Sequence, residues 1–212
     1  MTRRLPFLAA VLAAALAAPG ANAAAPKPQI TDAAGDALAP QGSVDIVSAL
    51  YKTTGDTVTT RVKGKKVTTY TPRKLVVTLN LSGAPLTNSG MAYEVGSDVA
   101  GCGAMRFTYT PGTVTGQVLG DASIWLDCGS EPDPNTGDTG TLMAGAQFEL
   151  GAKSITWTVS IKSLPKEVRV GAKLTGFYAS VDVVEPGFGL MGTNTFGPSL
   201  DDAEGSTSWV LR

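Results

Sequence analysis

The run Ile155-Thr156-Trp157-Thr158-Val159-Ser160-Ile161 alternates apolar and polar side chains without a break. Successive side chains of a β-strand point to opposite faces, so a period of two marks a strand with one face in a core and the other toward water. Leu75, Val77, Leu79 and Leu81 repeat the pattern, with Lys74, Thr78 and Asn80 between them. Further strands are expected at Val44–Tyr51, Met91–Val99, Met105–Thr110, Ala122–Cys128 and Leu142–Leu150. Val168, Val170 and Leu174 share one parity, whereas Phe177, Ala179, Val181 and Val183 take the other. A glycine at such a phase change, here Gly176, predicts a β-bulge. Trp209 and Leu211 mark a closing strand.

No stretch of the chain from residue 24 onward sustains a 3.6-residue apolar period. Composition agrees: 25 glycines, 13 prolines and 25 threonines stand against 5 methionines, a mix that favours strands and turns. About ten strands with turn residues between them predict an all-β, antiparallel β-sandwich, jelly-roll-like, in one domain over residues 30–212. Two regions read as insertions. Thr57–Thr71 is a Thr-rich hairpin turning at Lys63-Gly64-Lys65, and seven basic residues lie between Lys52 and Lys74 against Asp56 alone. Glu185–Gly205, with its glycines and Pro186 and Pro198, reads as a long loop.

The N-terminus has the form of an export signal: Arg3 and Arg4, an apolar stretch from Leu5 to Ala18, and Ala21-Asn22-Ala23 as a small-x-small cleavage site. The expected organisation is a signal peptide at 1–23 and a short linker at 24–29, with a secreted, extracellular mature chain. The apolar stretch is too short for an anchor, and no membrane span is expected. Cleavage takes the basic residues from 17 to 15 against 18 acidic ones, a mild acidity that argues against a nucleic-acid partner.

Histidine is absent, which excludes Ser-His-Asp hydrolysis, Cys-His proteolysis and zinc sites built on imidazole. Glu94, Asp127, Glu149 and Asp182 fall on strands, but no two are marked by local sequence as a catalytic pair, so no enzyme is expected. Cys102 and Cys128 are the only cysteines, and in an oxidising compartment they are expected to form a structural disulfide. Both lie at strand ends, where the Cα separation of a bridge is easily met.

Three further features bear on binding. Asp32 and Asp36 flank Gly35, and Asp45 begins the next strand. Three carboxylates so placed can gather oxygen ligands around a hard cation such as Ca²⁺, or can cap their own turn. Asp32, Gly35, Asp36, Asp45 and Ile46 resemble the opening segment of family 9 carbohydrate-binding modules and related DOMON-like sandwich domains. That resemblance implies a structural calcium beside the turn. Trp125 is out of phase with Ile124, Leu126 and Cys128, so if the cysteine face is the core, Trp125 and Asp127 face outward as a platform for a sugar ring. Glu131–Asp138 is acidic but lacks the bidentate glutamate of an EF-hand, and reads as a surface loop. The functional expectation is a non-catalytic module for extracellular carbohydrate with a structural calcium. The alternative is a cell-surface structural or protein-interaction domain that binds no glycan.

Overall fold

The computed structural model describes residues 26–38, 44–87, 90–111, 113–114, 117–118, 121–128, 141–142, 146–185, 195–205 and 207–212. The expected export signal and its cleavage site lie outside them, as does the whole of Glu131–Asp138. In chain order the strands are β1 (Ile30–Thr31), β2 (Ile46–Val62), β3 (Lys65–Leu81), β4 (Met91–Val99), β5 (Gly103–Thr110), β6 (Thr113–Val114), β7 (Gln117–Val118), β8 (Asp121–Leu126), β9 (Thr141–Leu142), β10 (Gln147–Leu150), β11 (Ser154–Ser160), β12 (Lys173–Glu185), β13 (Thr195–Gly205) and β14 (Trp209–Val210). Two short 3₁₀ turns, Ile161–Ser163 and Lys166–Val168, join β11 to β12. No helix among the described residues is long and apolar enough to cross a membrane.

The strands form two main antiparallel sheets, and β6 pairs with β7 in a separate two-stranded ribbon. One has the order β1-β2-β3-β11-β10; the other runs β13-β12-β4-β5-β8-β9, with β14 also on β12. The all-β sandwich expected from the period-two pattern is therefore the fold. Tyr51, Leu75, Val77 and Trp157 from the first sheet meet Tyr93, Val95, Phe107 and Phe177 from the second in one buried cluster. Tyr51 packs edge-on against Phe107 at 5.9 Å and Phe177 at 4.9 Å between ring centres, locking the sheets face to face. Trp157 is fully buried, as its phase with Ile155 and Val159 requires.

Gly176 has φ +56°, and the β12–β4 register shifts between Thr175 and Tyr178, so the bulge lies where the parity changed. Three expectations are corrected. Thr195–Gly205 is not loop but the edge strand β13, paired with β12 through two register shifts. Irregular pairing at an edge is why Gly197 and Pro198 are tolerated there. Val168 lies in a 3₁₀ turn and Val170 is 57% exposed; strand β12 begins only at Lys173, after Gly171 turns the chain at φ +97°. The expected strand Leu142–Leu150 is divided, with β9 in one sheet and β10 in the other. Thr57–Thr71 is the expected hairpin, and it is the outer half of β2 and β3, which run on together as one two-stranded arm. Its tip is the two-residue turn Lys63-Gly64, both at positive φ, the form that matches strand twist.

Candidate functional site

The outer face of the seven-stranded sheet carries a polar and aromatic array, and the ladder register sets its order. Tyr178 pairs with Gly96, Gly96 with Arg106, and Arg106 with Trp125. One residue pair along, Ser180, Glu94, Thr108 and Ser123 form a second row. Trp125 and Tyr178 are thus three strand spacings apart, about 14 Å along the row. Glycine at position 96 has a steric reason, because a Cβ there would strike the Tyr178 ring. The ring lies across the bare backbone of β4, and its Oη donates to Glu94 Oε1 at 2.5 Å. At the far end, Trp125 is half-buried, and its Nε1 donates to Ser123 Oγ at 3.0 Å. Ser123 Oγ also meets Thr108 Oγ1 at 2.5 Å, so the Trp125 ring is held through a hydroxyl pair. The core residues Ile124 and Leu126 on the opposite face fix which way Trp125 points.

Burial raises the carboxyl pKa of Glu94 above its usual 4.5; the Tyr178 hydrogen bond and the Arg106 charge oppose this, and Asp182 adds repulsion. A carboxyl whose folded pKa is raised costs stability while ionised, and that cost is relieved as pH falls through the raised value. Glu94→Gln keeps an acceptor for Tyr178 and removes the ionisation. The variant is therefore expected to be the more stable at neutral pH, with the gap closing as pH falls through the raised pKa toward 4.5. Urea midpoints measured across pH check this, and a gap that widens on acidification contradicts it.

A second cluster lies at one end of the sandwich. Carboxylate oxygens of Asp32, Asp36 and Asp201 all fall within 4.8 Å of one another. Asp32 and Asp36 come from the turn after β1, and Asp201 from the inner face of β13. The expected trio was Asp32, Asp36 and Asp45; the grouped oxygens include Asp201 in place of Asp45. Asp45 Oδ1 accepts the Gly35 N–H at 2.8 Å and so holds the turn itself. Hydrogen bonds from Ser82 and then from Gly35 lower the Asp45 pKa. Asp201 Oδ2 accepts the Ile46 N–H at 2.6 Å, tying the edge strand to the start of β2. Burial raises the Asp201 pKa, Ile46 opposes it, and the charges of Asp32, Asp36 and Asp45 add to it. Asp32 Oδ2 is buried with no hydrogen-bond partner.

Asp127 follows β8 directly, its N–H bonded to the Ala104 carbonyl at 2.9 Å, and is half-buried. Cys102 and Cys128 are disulfide-bonded. The bridge closes the end of the β5–β8 ladder, where Gly103 must lack a Cβ because the Asp127 carbonyl occupies that space.

Sequence reasoning found Trp125 but missed Arg106 and Tyr178, and it named Glu94 only as an unpaired carboxylate. A mid-strand glycine, Gly96, was the available signal that a ring lies over β4. Asp201 was missed because it lies in the stretch read as loop.

Fold and sites together define an antiparallel two-sheet protein with a disulfide, an aromatic outer face and an end cluster of three aspartates. Compared with protein-family models, curated proteins and solved structures, the chain matches none.

Proposed function

We propose that the protein is a non-catalytic, exported module that binds extracellular carbohydrate on the outer face of its seven-stranded sheet. The observation that carries this is the row Tyr178–Gly96–Arg106–Trp125, with a half-exposed indole at one end and a flat phenol at the other. Aromatic faces pack against the C–H groups of a sugar ring, and the hydroxyl, guanidinium and carboxyl groups between them suit its hydroxyls. The face carries Glu94, Asp98, Asp182, Asp202 and Glu204 against Arg106, so neutral glycans or amino sugars fit it better than uronates. Removal of a central aromatic anchor from an interface loses at least about tenfold in affinity. Trp125→Ala is accordingly expected to abolish retention on a glycan array at matched protein concentration. Unchanged retention of the folded variant would sink the reading.

Calcium at Asp32, Asp36 and Asp201 is part of this proposal. An orphaned buried carboxylate oxygen is expensive unless a positive group meets it, and hard oxygen donors suit Ca²⁺. The likeness of Asp32, Gly35, Asp36, Asp45 and Ile46 to family 9 modules supports the same ion. Calcium at about a hundred times its dissociation constant would stabilise the protein by about 2.7 kcal/mol. The melting temperature of chelator-treated protein is expected to rise on adding CaCl₂, and this rise should vanish in Asp201→Asn. Calorimetric titration showing no calcium binding to the wild-type chain contradicts it.

A further inference from the structure

The charge of this chain is segregated. Seven basic residues and one acidic residue fall between Lys52 and Lys74, whereas the rest of the chain after residue 23 has eight basic and seventeen acidic. The arm formed by the outer halves of β2 and β3 carries most of that positive charge, with its side chains exposed on both faces. Register separates those faces. Arg61 pairs with Lys66 on one, with Thr59, Thr68 and Tyr70; Val58, Val67 and Lys65 lie on the other, and Lys63 is at the tip.

The arm leaves the sheet at a bulge. Thr54 pairs with Lys74 but Gly55 with Pro72, so Arg73 is the extra residue, and bulges re-aim the side chain they carry. Gly55 is required there because a Cβ would strike the Thr71 carbonyl. Arg73 Nε donates to Asp56 Oδ2 at 2.8 Å, a bond that does not use the two terminal amino groups of the guanidinium. Beside it opens a cleft of about 430 Å³ lined by Pro72, Arg73, Ile161, Lys162, Arg169 and Val170. Lys162 and Arg169 have no ion-pair partner among the described residues. Three cations thus line one cleft, and the arm continues the positive charge outward from it.

We infer that the arm and the cleft at its root form one binding track for a linear polyanion, a polymer bearing phosphate or carboxylate groups at regular intervals. Like charge opposes the pairing of two arms, so the occupant is anionic. A globular partner would meet one face of the ribbon, whereas the cations lie on both faces, at the tip and in the cleft. A flexible chain can follow all of them. The track runs along the extension of the five-stranded sheet and the connection from β11 to β12, and Trp125 lies on β8 of the other sheet, so the inference stands apart from the glycan reading.

The test uses the mature chain and two fluorescent probes, linear polyphosphate and the polyuronate alginate, with binding read by anisotropy. Binding of either probe is expected at about 0.01 M salt and should weaken toward about 0.15 M, where the Debye length shrinks to about 8 Å. Lys162→Glu with Arg169→Glu, and separately Lys63→Glu with Lys65→Glu and Lys66→Glu, should each lower affinity at least about tenfold. Each should also flatten the salt dependence by about one logarithmic unit per cation removed. Lys153→Glu, in the turn at the opposite end of β11, and Trp125→Ala should leave polyanion binding unchanged. Circular dichroism of each variant reports whether the fold is kept. Three results would overturn the inference: no binding of either probe, equal loss in Lys153→Glu, or unchanged affinity in both track variants. Self-association at low salt that the arm variant reverses, without polyanion binding, would instead make the partner an acidic surface of a second copy.

Discussion

Trp157→Ala is expected to lower the unfolding free energy by about 3–5 kcal/mol, the range for deleting a large aromatic side chain from a packed core. Trp157 is fully buried, lies against Phe107 at 6.3 Å between ring centres, and donates its Nε1 hydrogen to the Thr108 carbonyl at 3.0 Å. That hydrogen bond crosses from one sheet to the other. It ends on the strand whose outer face holds Thr108 and Arg106, so the core tryptophan also steadies the backbone under the proposed glycan row. Trp157→Phe separates the two effects: it restores most of the apolar volume and should lose about 1 kcal/mol for the missing hydrogen bond. Urea unfolding with an unchanged slope measures both. A loss below about 1 kcal/mol in Trp157→Ala would mean that the interior relaxes around the missing ring, contrary to the close packing described.

The second large effect is expected from reducing Cys102–Cys128. The cysteines are 26 residues apart in sequence. In the chain-entropy account, opening a loop of that length frees the unfolded ensemble by about 3.5 kcal/mol at room temperature. The bridge closes the β5–β8 end next to Asp127, and Cys102 is itself buried against the core. Ser substitution of both cysteines should reproduce the loss without reductant. If the unreduced, denatured protein alkylates at both positions, the bond is not present in it. If reduction leaves the melting temperature unchanged, the bridge contributes nothing to stability.

Which features were legible in sequence follows from how local their physics is. The strand at Ser154–Ser160 was visible because every residue states its own side of the sheet, and neighbours two apart repeat the statement. The bulge at Gly176 was visible for the same reason, as a break in parity. Strand β13 was hidden because it is an edge: its exposed face is acidic, its pairing is irregular, and proline and glycine do not exclude it there. The 3₁₀ turn at Lys166–Val168 was misread because Val168 is buried by a turn and not by a strand, and burial alone does not name the backbone that delivers it.

The candidate sites divide along the same line. The outward turn of Trp125 is a property of one strand, so sequence by itself determined it. Its neighbours Arg106 and Tyr178 come from β5 and β12, and only the strand order of the sheet brings residues 106, 125 and 178 into one row. Among the aspartates, spacing over fourteen residues put Asp32, Asp36 and Asp45 near one turn, and they are near it. Tertiary structure decided their roles. Asp45 is held by the backbone N–H of Gly35, whereas Asp201, far along the chain, is carried to Asp32 and Asp36 by the inner face of β13. Period-two patterning assigns each side chain a face of its strand, but which strands become neighbours depends on loop closure and on the packing of the two sheets, and neither is written in any one segment.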